Sequence, residues 1–382
     1  MVSINKVLLF LSNRCNLSCS YCFVSTKDEA RLSTKQISIF IKWFLEQNCH
    51  TDYRELDFFG GEPFLELDLL QMSIPFFREQ NRDKKSQIHT IPVNGTILTE
   101  EMLRFSKEQN LSVSISLDGD RTSNAGRKFK QGGYSFDIIW GNMQKFREFM
   151  GCPPQIKMTV TPDNVKDLFA NVNFLFEEGF YNVYPNPAHI KVKWAKSDVD
   201  VYLNEFKKIL QLYIIRRSRK QPIEIAPIDA LWRKKAEDLV MEDFSCGYGT
   251  QPMLHPDGNI YICEHSFSEQ KYWKDLFCVG SIVNDSVHID FEKMRKLADY
   301  NIFTQFDLRN KNHPLAPIFS KMACCSFTEN NTFLNKEDIE NALDMYLLSS
   351  DYVLKSYERL KQKYSENNDF SDDLIPPFLR SV

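Results

Sequence analysis

The sequence predicts an α/β protein built on parallel strands, and three observations carry that expectation. From residue 6 to about residue 220, strand-like and helix-like segments alternate with a period of roughly 30 residues, as βα units do. The glycine-rich and unusual polar stretches fall where strands end, on the face where parallel α/β folds place their chemistry. Beyond residue 221 the alternation stops and a turn-rich pattern takes over.

The first strand, 6–12 (KVLLFLS), runs directly into SNRCNLSCSYCF, which holds Cys15, Cys19 and Cys22. A helix then starts at STKQ, where Ser33 and Gln36 form a capping box and Ile37, Phe40, Ile41 and Phe44 share one face. The second strand, 55–59 (ELDFF), leads into Gly60-Gly61-Glu62-Pro63, and the third, 87–93 (QIHTIPV), into Asn94-Gly95. The fourth, 111–117 (LSVSISL), contains Ser116 and leads into Asp118-Gly119. A helix from about Ser135 aligns Phe136, Ile139, Met143, Phe146 and Met150, and strands at 155–161 and 181–184 complete the series. Past 221, PIEIAPIDALW reads as a proline-punctuated linker and residues 246–265 as a loop and hairpin turning at Pro256-Asp257-Gly258-Asn259. Residues 336–365 read as helix and the remainder as a loose tail.

A chain of 382 residues with 43% hydrophobic residues can bury a sizeable core. Its formal net charge of -4 with interspersed signs gives no electrostatic reason to expect nucleic acid or a membrane as partner. The basic runs RRSRK and RKK read as solvated helix ends. No apolar run approaches the roughly 18 residues of a membrane span, and the start reaches charged sequence too soon for a signal peptide. The cytoplasm is the expected compartment, where the ten cysteines act as ligands or thiols rather than disulfides. Neither a phosphate-cradling GxxxxGK[ST] nor a GxGxxG after a strand is present.

Three cysteines at spacings of four and three in one loop need a specific explanation. A structural zinc site takes four ligands, usually as two separated pairs, and a thioredoxin-type site takes one CxxC at a helix start. A four-iron cluster held by three thiolates fits instead, because its fourth iron stays open to a group that is not protein. CxxxCxxC with Tyr21 just before the last cysteine resembles the cluster loop of the radical S-adenosylmethionine (radical SAM) enzymes, and FFGGEP after strand two strengthens the resemblance, which extends over nearly the whole chain.

The resemblance implies a partial (β/α)6 barrel, a [4Fe-4S] cluster on Cys15, Cys19 and Cys22, and S-adenosylmethionine chelating the open iron. It further implies that Gly60, Gly61 and Glu62 hold the methionine amino group, that Ser116 meets the ribose or carboxylate, and that Arg127 pairs with the carboxylate. Asn94, Asp118 and Thr161 also stand at strand ends, where a hydrogen-bonded structural role competes with cofactor contact.

Cys246 and Cys263 frame a segment similar to the opening hairpin of the SPASM or twitch auxiliary-cluster extensions, with zinc as the alternative. Cys49 and Cys152 read as structural thiols, which leaves Cys246, Cys263, Cys278, Cys324 and Cys325, enough for one auxiliary cluster. Cys278 ranks below the vicinal pair Cys324 and Cys325 as a ligand. The implied organisation is a barrel at 1–220, a linker at 221–240, an auxiliary domain at 241–335 and C-terminal helices and tail at 336–382. His255 and His265 flank the hairpin and are assigned no catalytic role.

The segments SLDGDRTSNAGRKFKQGGYSF and MTVTPDNVKDLF resemble the peptide-modifying branch. The expectation is therefore a maturase that oxidises a ribosomal peptide or a protein, served by an electron donor such as flavodoxin or ferredoxin. With the barrel opening at residue 6, leader binding falls to a separate protein or to the auxiliary domain, or the substrate carries no leader. Dehydrogenation of a sugar or amino-sugar and a non-catalytic iron–sulfur or zinc scaffold are the competing readings.

Overall fold

The computed structural model describes residues 3–25, 27–88, 91–188, 191–236, 250–267, 271–299, 307–316 and 336–365. Its strands are β1 (Lys6–Phe10), β2 (Tyr53–Phe59), β3 (Lys85–Ile88), β4 (Ile91–Val93), β5 (Val113–Ser116), β6 (Gln155–Val160), β7 (Asn182–Pro187), β8 (Glu224–Ile225), β9 (Met253–Leu254), β10 (Asn259–Tyr261), β11 (Cys278–Val283) and β12 (Ser286–Ile289). Its helices are α1 (Thr34–Glu46), α2 (Leu67–Gln80), α3 (Glu100–Glu108), α4 (Phe136–Met150), α5 (Leu168–Glu177), α6 (Lys196–Ser218), α7 (Ala226–Ala236), α8 (Lys271–Phe277), α9 (Phe291–Ala298) and α10 (Lys336–Ser365). Among the described residues, no helix is long and apolar enough to cross a membrane.

The chain divides into two units. The first comprises residues 1–117, 125–154 and 247–300. Here β1 lies parallel to β2 in the register Lys6↔Glu55 to Phe10↔Phe59, and β2 lies parallel to β3. Lys6 anchors the start of the pair through Glu55 at 2.8 Å and Asp57 at 2.6 Å. The face expected of α1, Ile37, Phe40, Ile41 and Phe44, is fully buried, as are Phe10 of β1 and Phe77 of α2. The Ser33 capping box is formed: Ser33 Oγ accepts from the Gln36 N–H at 3.2 Å, and Gln36 Oε1 accepts from the Ser33 N–H at 2.9 Å.

The expected third strand, 87–93, belongs to two ladders. β3 alternates exposed and half-buried residues beside β2, whereas β4 is mostly buried beside β5. The hairpin turns where expected, with the Gly258 N–H donating to the His255 carbonyl at 2.9 Å. Less visible in the sequence, β9 lies parallel to β1, so the strand order β12-β11-β10-β9-β1-β2-β3 extends the β1 sheet with the hairpin strands.

The second unit comprises residues 118–124, 155–246 and 301–382. β6, β7 and β8 are parallel neighbours. The linker expected at 221–240 is corrected over its described part: residues 224–236 form β8 and α7. Asp229 explains the order. Its buried carboxylate accepts from Tyr213 Oη at 2.5 Å, Arg217 Nη2 at 3.0 Å and the Ile225 N–H at 2.6 Å. Pro227 sits in the first turn of α7, where a missing N–H costs nothing. The expected helix at 336–365 is α10, tied to this unit by Asn341 Nδ2 donating to the Trp194 carbonyl at 2.8 Å.

Candidate active site

The loop after β1 carries Cys15, buried, and Cys19 and Cys22, half-buried. A turn brings the last two together, with the Cys22 N–H donating to the Cys19 carbonyl at 3.2 Å. Burial pushes the Cys15 thiol up in pKa, against the Lys27 ammonium that favours its thiolate.

The ladder between β1 and β2 continues beyond both strands into this loop. The Gly61 N–H donates to the Ser12 carbonyl and the Glu62 N–H to the Arg14 carbonyl, both at 2.8 Å. That continuation explains the glycine pair. A Cβ on Gly60, at φ +148°, would stand 2.8 Å from the Ser12 oxygen, and one on Gly61 would stand 2.1 Å from the Arg14 oxygen. The glycines let the cluster loop lie against the strand end, a closer constraint than the cofactor approach expected of them.

Glu62 is placed deeper than its expected role suggests. It is 1% exposed, with Oε1 accepting from the Phe64 N–H at 3.0 Å and Oε2 from the Asn94 N–H at 2.6 Å. Burial pushes its pKa up to about 7 even though both N–H groups and the Arg127 charge favour the carboxylate. Asn94 is likewise engaged by protein. Its Nδ2 donates to Asn16 Oδ1 at 2.8 Å and lies 3.9 Å from Cys15 Sγ, and its Oδ1 accepts from Thr96 Oγ1 at 2.6 Å. Arg127 is buried with its guanidinium 5.5 Å from the Tyr21 ring, and Ser116 ends β5 half-buried in the same unit. In the second unit, Asp118 accepts from the Thr159 N–H at 2.9 Å and the Thr161 backbone N–H donates to Asn164 Oδ1 at 2.8 Å.

Three supports of the loop were not found by motif reasoning. Glu66, fully buried, lies 3.1 Å from Arg14 Nη1 and 3.0 Å from Arg31 Nε, so one carboxylate ties down both flanks of the cysteine loop. Lys27 Nζ donates to the Leu17 carbonyl at 2.9 Å. Asn13 Nδ2 donates to Asp28 at 2.9 Å, which leaves its Oδ1 to accept from His255 Nε2 at 3.2 Å. His255 stacks on Phe267 at 4.2 Å, consistent with the structural role expected of it. The signal for these is slight: charged and amide residues one or two positions before Cys15, five beyond Cys22 or four beyond Glu62.

Of the second cysteine set, Cys263 lies just past β10 and Cys278 opens β11 opposite Tyr261, both half-buried. Cys246, Cys324 and Cys325 lie outside the described residues. Among the described residues, no three His, Cys, Asp or Glu side chains close on a single metal ion. The donor set of the first loop, three thiols with no imidazole or carboxylate among them, suits iron–sulfur chemistry with one iron left open.

The comparisons with known proteins agree with this geometry. The Radical SAM superfamily model matches residues 9–170. The cysteine-type anaerobic sulfatase-maturating enzyme of Clostridium perfringens is 27% identical over 74% of this chain and 78% of its own length. The Fe-coproporphyrin III synthase of Methanosarcina barkeri is 30% identical over 57% of this chain and 54% of its own. The structure of anSMEcpe with bound AdoMet and Kp18Cys peptide shares the fold at a TM-score of 0.71, with 18% identity, over 93% of this chain and 99% of that one. The α/β fold is that of enzymes with the partial barrel, and the chain is an enzyme that carries a radical SAM domain over residues 9–170.

Proposed function

We propose that the protein matures a peptide or protein, using S-adenosylmethionine to remove hydrogen and leave a crosslink, thioether or oxidised residue. The observation that carries this reading is the three-cysteine loop, whose leading residues Ser12 and Arg14 accept backbone hydrogen bonds from Gly61 and Glu62. Its bearing on peptides rests on the similarity to sulfatase-maturating enzymes and to a fold solved with a bound peptide.

In this reading Cys15, Cys19 and Cys22 hold a [4Fe-4S] cluster. When bound, that cluster and S-adenosylmethionine supply the deoxyadenosyl radical that takes a hydrogen atom from substrate. The chain's own residues shape the place. Gly60 and Gly61 admit the loop, and Glu62 fixes the ends of the second and third strand regions by joining Phe64 to Asn94. Arg127, with Tyr21 against it, offers a planar cation to a carboxylate, and Ser116 a hydroxyl to ribose. Cys246, Cys263, Cys324 and Cys325 are the proposed ligands of one auxiliary cluster, with Cys278 ranked after them. A flavodoxin or ferredoxin would supply electrons in the cytoplasm, and a separate protein could deliver a leader peptide.

The similarity to Fe-coproporphyrin III synthase favours a second reading, action on a small molecule rather than a peptide. Incubating the anaerobic, iron-reconstituted protein with S-adenosylmethionine, reductant and the Kp18Cys peptide discriminates between them. Maturation predicts deoxyadenosine together with peptide lighter by a hydrogen pair. Deoxyadenosine with every peptide offered unchanged, and a small-molecule substrate converted instead, would sink it.

A further inference from the structure

We propose that the arm formed by residues 126–134 is the docking surface for an acidic one-electron carrier protein. The inference rests on the reading that Cys15, Cys19 and Cys22 hold a reducible cluster.

The arm is a short antiparallel hairpin pairing Lys128 with Tyr134, closed through Gly132 and Gly133, each at φ +92°. Its inner edge is laced to residues 16–20 of the cysteine loop. The Ser18 N–H donates to the Lys128 carbonyl at 2.7 Å, the Lys130 N–H to the Asn16 carbonyl at 3.1 Å, and the Ser20 N–H to the Gly126 carbonyl at 3.1 Å; Leu17 bridges Phe129. The covalent and hydrogen-bonded path from arm to Cys15 or Cys19 is therefore one or two residues long.

Its outer side is cationic and carries an aromatic. Lys128 and Lys130 are exposed, Tyr134 is 62% exposed, and Lys128 Nζ lies 5.5 Å from the Tyr134 ring. Lys130 Nζ also donates to the Lys27 carbonyl at 3.2 Å, which ties the arm to the chain just past the third cysteine. From Ala125 to Phe136 the sequence holds three cations and no acid, in a chain whose net charge is -4. The nearby acids Asp28 and Glu29 are engaged by Asn13 and Arg14. Clustered lysines with an aromatic anchor steer and seat an acidic protein face. The carrier gives up one electron and the cluster accepts it, with no bond or proton moved. Contact at this arm puts that transfer beside the ligands.

The test uses reconstituted full-length protein, with a bacterial flavodoxin and a ferredoxin as probes. Kd is measured at low and high salt for the wild type, for Lys128→Glu with Lys130→Glu, and for Tyr134→Ala. The expected result is salt-weakened binding of at least one carrier, loosened about tenfold by the double reversal, with iron content and dithionite-driven deoxyadenosine unchanged. Binding equal to wild type in the double reversal, or no salt-sensitive binding of either carrier to the wild type, overturns the proposal. So does a loss confined to an acidic substrate peptide. Absent dithionite-driven deoxyadenosine at full iron content in the wild type would instead count against the radical reading, separately from docking.

Discussion

Gly61→Ala puts the tightest contact in the site to use. The added Cβ would meet the Arg14 carbonyl oxygen at 2.1 Å, its carbon at 2.6 Å and the Asn13 oxygen at 2.9 Å, all backbone atoms. Ordinary contact begins at 3.4 Å, so the loop must retreat by about 1.3 Å next to Cys15. Overpacking against backbone costs about 1–3 kcal/mol. The retreat also strains the 2.8 Å bonds from Gly61 to Ser12 and from Glu62 to Arg14, each worth about 1 kcal/mol. We expect about 2–4 kcal/mol lost in urea unfolding of the iron-free protein, and less iron bound per chain after reconstitution. Gly141→Ala is the control: nothing lies within 4 Å of its Cβ in α4, so a gain of about 0.5–1 kcal/mol is expected. A Gly61→Ala protein with wild-type stability and iron content would refute the idea that the loop needs this close approach.

Glu62, raised from 4.5 to about 7 by burial, keeps its proton in the native state where the unfolded chain releases it. Stability should therefore fall as pH rises from about 4.5 to 7, by about 3 kcal/mol, and Glu62→Gln should flatten that slope; equal slopes in both proteins would contradict the burial argument. Ser33→Ala removes the α1 cap and should cost about 1 kcal/mol in the same unfolding assay, whereas no cost would mean the box is not formed in solution. Asp229→Ala strips Tyr213, Arg217 and the Ile225 N–H of their acceptor. It should cost about 3 kcal/mol and open residues 224–236 to limited proteolysis, and unchanged resistance would return that stretch to a linker.

Much of this architecture was legible because its signals are local. A capping box lies within four residues, and hydrophobic periodicity marks α1 and α4. The cysteine spacing needs no tertiary information. What stayed hidden depends on partners distant in sequence. Asp229 orders β8 and α7 through Tyr213, sixteen residues earlier, so a proline-marked stretch looked like a linker. Glu66 pairs with Arg14 across 52 residues, and His255 meets Asn13 across 242. For Glu62 the resemblance implies a role toward an ammonium but says nothing of its protein partners. Its placement between two backbone N–H groups is decided by how the third strand region ends at Asn94.

The most direct test of the account is anaerobic: reconstitute the protein with iron and sulfide, add dithionite and S-adenosylmethionine, and quantify 5′-deoxyadenosine beside a Cys15→Ala, Cys19→Ala, Cys22→Ala variant. The account predicts deoxyadenosine from the wild type and none from the variant. Equal amounts from both, or none from a wild type carrying its full iron, would contradict it.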